Sequence, residues 1–282
     1  MTYYPTISAL QSLLHEVKSR HQNIGFVPTM GALHSGHLSL VERSVAENQL
    51  TVVSIFVNPT QFNNAADFKT YPRHIEEDLA LLADFGKKIA IYIPEVNDIY
   101  PQEVASQPFD FGGIELQMEG QFRPGHFDGV GTVVKRFFEL IQPDNAYFGE
   151  KDFQQLQVIR KLVEIEKLPV NIIGCPISRA ASGLALSSRN KRLNPSQLRE
   201  SPLIYQVLKQ ARQDFGTKSV KNITHAVTEA FKSNPELKLE YFTIADEVTL
   251  KPVQRKIKNK KYRAFIAVFA GEVRLIDNIA LY

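Results

Sequence analysis

The chain has 282 residues, 44% hydrophobic and 22% charged, with 33 Lys and Arg against 30 Asp and Glu and a net charge of +3. That balance is ordinary for a soluble globular protein and too even to imply nucleic acid, and the length suits one large or two unequal domains. A single cysteine excludes an internal disulfide framework, and no apolar stretch nears the ~20 residues of a membrane span.

Ile7, Leu10, Leu13, Leu14 and Val17 recur at helical spacing and predict a first helix. His15, Glu16, Lys18 and Arg20 interrupt any apolar core that a signal peptide would need, so a cytoplasmic location is expected. Ile24 to Val27 reads as a short buried strand stopped by Pro28, which has no N–H for a ladder. Gly31 and Gly36 permit turns, and Leu38, Val41 and Val45 set a helix beginning near Ser35 to His37. His34 and His37 therefore sit where a strand ends and a helix starts. A helix N-terminus favours an anion such as phosphate, and imidazoles there can donate to phosphoryl oxygens and stabilise growing charge. A lone His-x-x-His is more often surface chemistry or a chance metal pair. Strand, proline, two glycines and helix shift the balance towards phosphate.

Leu50 to Val57 suits a parallel strand covered on both faces, ended by Asn58-Pro59. It delivers Asn58 and Gln61 at the strand's C-terminal end, where ligands of open parallel sheets bind. Amides there grip hydroxyls and carboxylates without charge; the plainer alternative is a pair of turn amides satisfying local backbone. Pro72 opens a helix on Ile75, Leu79, Leu82 and Phe85 with Gly86 as its stop, and Ile89 to Ile93 is a third strand. The alternation argues for an α/β fold with a parallel sheet.

Pro101 to Gly120 leaves that pattern. Arg123 to Phe127 is a polar, glycine-containing loop that faces an anionic substrate or is a surface turn. Val130, Val133, Val134, Phe137, Phe138 and Ile141 mark a helix, Ala146 to Phe148 a strand, and Leu156, Ile159, Leu162 and Val163 the next helix. Between these last two lies Gly149-Glu150-Lys151-Asp152, a second strand-to-helix junction. Lys151 offers a point charge for phosphate, Asp152 an acceptor for ribose hydroxyls, and Gln154 and Gln155 open the helix within reach of substrate. A solvated helix start explains the same residues about as well. Val170 to Cys175 is the last strand of this part, and Cys175 reads as a buried, inert thiol.

Beyond Ile177 polar residues crowd up to Asn194. A helical region then runs from Pro195 to Asn234, and three strands follow: Leu237 to Ala245, Tyr262 to Phe269 and Val273 to Ile276. This reads as a small α+β domain. Within Gly183 to Asn190, the hydroxyls of Ser187 and Ser188 and the guanidinium of Arg189 can wrap a triphosphate. Lys251 to Arg263 is the most basic stretch and reads as a solvated connection. A nucleic-acid patch is disfavoured because no stacking aromatics interleave beyond Tyr262.

His34-Ser35-Gly36-His37 is similar to the His-x-Gly-His signature of the nucleotidyltransferase superfamily. It is joined in order by Val57-Asn58-Pro59-Thr60-Gln61-Phe62, Tyr71-Pro72-Arg73, Arg123 to Phe127, Phe148 to Gln155 and Leu186 to Asn190. With these the chain resembles the pantoate–β-alanine ligases from about residue 24 to 194. The C-terminal third matches mainly in length and in Arg274-Leu275-Ile276-Asp277-Asn278.

The resemblance implies an α/β protein: a Rossmann-like, nucleotide- and pantoate-binding domain over 1–176, and a smaller C-terminal α+β lid domain over 177–282. It implies ATP, (R)-pantoate and β-alanine as substrates, magnesium as cofactor, a pantoyl-adenylate intermediate and a cytoplasmic homodimer. ATP contacts carry over to Met30, Gly31, Ala32, Leu33, His34, Ser35, Gly36, His37, Gly149, Glu150, Lys151, Asp152, Ser178, Leu186, Ser187, Ser188 and Arg189. His37 matches the proton donor, Gln61 the residue shared by pantoate and β-alanine, and Gln155 a second pantoate contact, with Asn58 beside them. Activating a carboxylate needs two anions brought together and phosphate charge neutralised, which His34, His37, Lys151 and Arg189 can supply. The chain departs from the family pattern at Thr60, where Met is usual, at Ser178, and at Ala181-Ser182. Rival readings are another nucleotidyltransferase, such as a cytidylyltransferase, and a nucleic-acid-binding module.

Overall fold

A computed structural model describes residues 3–62 and 65–282 of the chain. It divides into two compact units, Met1–Glu150 with Gln154–Pro176, and Lys151–Phe153 with Ile177–Tyr282.

The first unit runs β1 (Tyr3–Tyr4), α1 (Ile7–Ser19), β2 (Ile24–Thr29), α2 (Ser35–Glu47), β3 (Leu50–Ile55), α3 (Ala65–Thr70), α4 (Ile75–Leu82) and β4 (Ile89–Tyr92). It continues α5 (Val96–Ile99), α6 (Glu119–Phe122), α7 (His126–Ile141), β5 (Asn145–Gly149), α8 (Phe153–Glu166) and β6 (Asn171–Cys175). The six strands form one parallel sheet in the order β1-β4-β3-β2-β5-β6. Starting from β2 the chain adds β3 and β4 on one side, then returns to add β5 and β6 on the other. The winding therefore reverses between β2 and β5, and ligands of such sheets bind outside the carboxyl ends of the strands at that point. The turn leaving β2 leads to His34, and β5 ends at Gly149.

Several elements differ from the sequence expectation. Pro28 does not stop its strand, because β2 pairs with β5 only at Gly25 and Phe26 while the β3 side continues to Thr29. At Pro28 one side of the strand is already unpaired, so no ladder donor is lost. The helix expected from Pro72 begins at Ile75, where Glu76, Glu77 and Asp78 fill the first turn and suit the dipole. The helix marked by Val130 to Ile141 begins at His126, which brings His126 and Phe127 out of the supposed loop and into α7. The short elements β1, α3 and α5 carry too few periodic residues to show in sequence.

The second unit contains α9 (Pro195–Glu200), α10 (Leu203–Asp214), α11 (Val220–Lys232), β7 (Leu237–Asp246), β8 (Tyr262–Ala270) and β9 (Val273–Ala280). The three strands form an antiparallel sheet, β7-β8-β9. Leu208, Ile223, Ile266 and Val268 lie in its core. β9 extends past the expected Ile276 because its polar residues are buried in pairs. Asp277 takes a bidentate bond from Arg179 at 2.6 and 2.8 Å, and Asn278 accepts from Arg263 at 2.7 Å. Arg263 also meets Glu247 at 2.8 Å, so it is a buried strand residue and not the end of the exposed basic run. Residues 151–153 depart from a single cut at 176 for a local reason. Asn278 donates to the Lys151 carbonyl at 2.9 Å, and Phe153 lies 6.0 Å from Phe265 with the Arg263 guanidinium 3.8 Å above its ring.

Candidate active site

The turn from β2 into α2 presents the two histidines. His34 is the N-cap of α2, in extended backbone, and its Nδ1 accepts from the Gly36 N–H at 3.1 Å. That bond leaves Nδ1 without a proton and places the neutral ring's proton on Nε2. The His37 N–H donates to the His34 carbonyl at 2.8 Å, and the two rings stand 4.1 Å apart between centroids. The first-turn N–H groups of Gly36 and His37 are thus engaged inside the cap. Gly36 lies in the helix and needs no special backbone; the left-handed positions are Gly31 (φ 78°) and Ala32 (φ 50°). Holding an alanine there costs energy.

The turn after β3 presents Gln61. Its Nε2 donates to the Met30 sulfur at 3.0 Å, which ties it to the β2 turn. Asn58 is fully engaged within the protein. Its Nδ2 donates to Gln61 Oε1 (3.3 Å) and to the Gly129 carbonyl (3.2 Å), and its Oδ1 accepts from Tyr100 (2.6 Å) and Thr60 (3.2 Å). Asn58 is thus a buried hub that sets the Gln61 amide. The Thr60 hydroxyl lies 3.0 Å from Tyr100, so this departure adds a hydrogen-bonding group to the hub. Burial pushes the Tyr100 hydroxyl's pKa up, against the pull of these two partners.

α7 closes on the same turn. A Cβ at Gly129 would stand 2.4 Å from the Thr60 carbonyl oxygen, so only glycine permits this approach. His126 is buried, with Nδ1 2.8 Å from the Gln61 carbonyl, and Arg123 donates to that carbonyl at 3.3 Å. Periodicity could not reveal this, because a polar residue at a helix start carries no apolar signal. Asp78 was missed for the same reason. It is 2% exposed and accepts from the Ala32 and Leu33 N–H groups at 3.0 and 2.7 Å. Burial raises its carboxyl pKa, and the two backbone bonds oppose that shift.

Past β5, Gln154 and Gln155 divide. Gln154 is buried and used internally: its Nε2 donates to the carbonyls of Ile114 and Gln117, and its Oε1 accepts from the Glu119 N–H. Gln155 is half-buried. Cys175 is buried with its thiol pKa pushed up by desolvation, which suits an inert thiol.

Within the second unit, Lys151 stands 3.7 Å from Asp152. Ser187, Ser188 and Arg189 are half-buried at the start of a short 3₁₀ turn, Ser188–Arg192, where Ser187 Oγ accepts from the Arg189 N–H at 3.3 Å. Asn190 donates to the Ala185 carbonyl at 3.0 Å, and the Leu186 N–H to the Ser178 carbonyl at 2.9 Å. Arg179 anchors the loop's base through Asp277 and the Gly183 carbonyl, with its guanidinium 3.7 Å above the Tyr205 ring. The Ala181-Ser182 pair is exposed and takes no part in this anchoring beyond a 3.5 Å bond from the Leu184 N–H to Ser182 Oγ. Among the described residues, no three His, Cys, Asp or Glu side chains cluster as a metal site.

A family profile described as pantoate-beta-alanine ligase matches residues 2–280. The chain belongs to the pantoate-beta-alanine ligase family. It is similar to pantothenate synthetases from Flavobacterium psychrophilum, at 56% identity over 92% of both chains, and from Christiangramia forsetii, at 55% over 95% of both. Among solved structures, a pantothenate synthetase from Thermus thermophilus superposes with a TM-score of 0.91 at 41% identity, covering all of both chains. A pantoate-beta-alanine ligase from Francisella tularensis, described as complexed with beta-gamma ATP and beta-alanine, gives 0.79 at 37% identity over 100% of this chain and 98% of that one. In this pantoate-beta-alanine ligase fold the parallel-sheet unit and the antiparallel unit account for the α/β and α+β parts expected from sequence. No helix among the described residues is long and apolar enough to cross a membrane.

Proposed function

We propose that the protein condenses (R)-pantoate with β-alanine at the expense of ATP, giving pantothenate, AMP and diphosphate. The observation that carries this reading is the pair of histidines on the turn leaving β2, at the point where the sheet's winding reverses, in a chain of this family. The pantoate carboxylate oxygen attacks the α-phosphorus and diphosphate leaves. The β-alanine amine then attacks the acyl carbon of the pantoyl-adenylate, loses a proton and expels AMP. No covalent enzyme intermediate is needed, so the protein's work is to place two anions together and offset their charge.

His34 and His37 are assigned to phosphate charge, with His37 as proton donor. Met30 to His37, Gly149 to Asp152, Ser178 and Leu186 to Arg189 are assigned to ATP. Lys151 brings a point charge and Arg189 a planar fork that suits phosphate oxygens. Gln61, held by Asn58, and Gln155 are assigned to pantoate. Magnesium is assigned to the ATP phosphates, since it is usually held by one or two carboxylates plus substrate phosphates. When bound it neutralises phosphate charge. A homodimeric, cytoplasmic enzyme completes the reading.

Gln61→Ala and Gln155→Ala are expected to weaken pantoate binding by about 1–3 kcal/mol each, because a substrate hydroxyl or carboxylate loses its partner. ATP affinity, read by calorimetry, should change little; equal losses for both ligands would remove the glutamines from the pantoate site. The activity itself is tested by supplying purified protein with ATP, magnesium, pantoate and β-alanine. AMP and pantothenate should appear in equal amounts. A nucleotide-linked product that persists when the amine is added would favour a nucleotidyltransferase instead.

A further inference from the structure

We propose that Asp78 is a positioning residue for this reaction: its carboxylate holds the turn between β2 and α2 in the conformation that presents His34 and His37. The proposal rests on the assignment of those histidines to phosphate charge.

The turn has a reason to need such a tether. Gly31 and Ala32 are consecutive residues in the left-handed region, with φ of 78° and 50°. An alanine adopts that region at a cost and stays there only when its surroundings fix it. The two ends of the turn are fixed locally. At the start, Thr29 Oγ1 donates to the Ser54 carbonyl at 2.7 Å and accepts from the Gly31 N–H at 3.2 Å. At the end, His34 caps α2. Between them, Ala32 and Leu33 have buried N–H groups that must find acceptors.

Asp78 supplies both. It comes from α4, 46 and 45 residues further along the chain, and its two oxygens take one N–H each at 3.0 and 2.7 Å. Glycine at position 31 leaves room for this approach, since a Cβ there would stand 2.9 Å from Asp78 Oδ2. Beside the contact lies a cavity of about 440 Å³, bordered by Met30, Gly31, Ile55, Arg73, Asp78 and Asn97. On that side open space borders Met30 and Gly31, while Leu33 is packed into the core, so the hydrogen bonds restrain the backbone in addition to that packing. Charge-assisted bonds to two successive N–H groups are strong and directional. The carboxylate touches no reacting atom; it acts through Ala32 and Leu33 on the residues that follow them.

Asparagine is nearly isosteric but keeps one acceptor oxygen, and its NH₂ would face the second N–H. The test is single-turnover formation of pantoyl-adenylate from ATP, magnesium and pantoate, which reads a rate constant and an amplitude separately. Asp78→Asn should lower the rate constant roughly 10- to 100-fold, the scale of a small misplacement of catalytic groups, with the amplitude near wild type. Leu79→Ala weakens the packing of the same helix against the core and leaves the tether intact. It should lose thermal stability and keep the wild-type rate constant. An Asp78→Asn rate constant equal to wild type, or a fall in amplitude alone, overturns the proposal.

Amide exchange on the wild-type protein needs no variant. Slow exchange at Ala32 and Leu33 supports the tether, and fast exchange at both overturns it. A wild-type protein that forms no adenylate would overturn the reading of the activity and this proposal with it.

Discussion

Replacing His37 by alanine is expected to slow pantoyl-adenylate formation by about 10²–10³-fold, the usual cost of removing one donor aimed at developing charge. The charge that grows on the α-phosphate during attack is what an imidazole on the first turn of α2 can offset. The fold should survive the change, because the cap of α2 is made by His34 and not by His37. His34→Ala would be a less clear probe: it removes the acceptor for the Gly36 N–H, a loss of about 1 kcal/mol for a typical cap, and so mixes stability with chemistry. Rapid-quench measurement of the adenylate, with thermal denaturation as the check on folding, separates the two. A His37→Ala enzyme with a wild-type rate constant would take this residue out of the chemistry.

Arg189→Lys is expected to slow the same step by about 10²-fold while leaving much of the ATP affinity. Lysine keeps the charge but cannot copy the planar, bidentate contact of a guanidinium with phosphate oxygens. Ser187 Oγ and Asn190 hold the turn, and Arg179 with Asp277 anchors its base. A surface arginine with no part in the reaction would give indistinguishable single-turnover rates for the two proteins.

The strands of the parallel sheet other than β1 were legible because each is a short apolar run bounded by Pro, Gly or Asn, and in β2 to β4 burial on both faces leaves no competing pattern. The histidine turn was legible for a different reason: His34 and Gly36 sit at the place where a helix must begin. Pro28 misled because a missing donor matters only on a paired side, and which sides are paired is a property of the sheet, not of the residue. Asn58 was legible as an amide at the end of β3, whereas the hydrogen bonds it makes with Tyr100 and Gly129, from segments far along the chain, were not. Asp78 and Tyr100 were not legible at all, and His126 was read only as part of a polar loop. Each acts on a backbone or amide distant in sequence, and one polar residue in a helix or loop looks the same whether it faces water or a buried N–H. Gly129 reads as an ordinary helix boundary, and only the 2.4 Å approach of the Thr60 carbonyl shows that a side chain is excluded there.

The central claim is that activation of pantoate precedes and does not require the amine, with charge offset by the histidine turn and no covalent link to the protein. Isotope exchange between labelled diphosphate and ATP tests it most directly. With magnesium, ATP and pantoate present and β-alanine absent, label should enter ATP, and omitting pantoate should abolish the exchange. Exchange that appears only when β-alanine is added would contradict the two-step order.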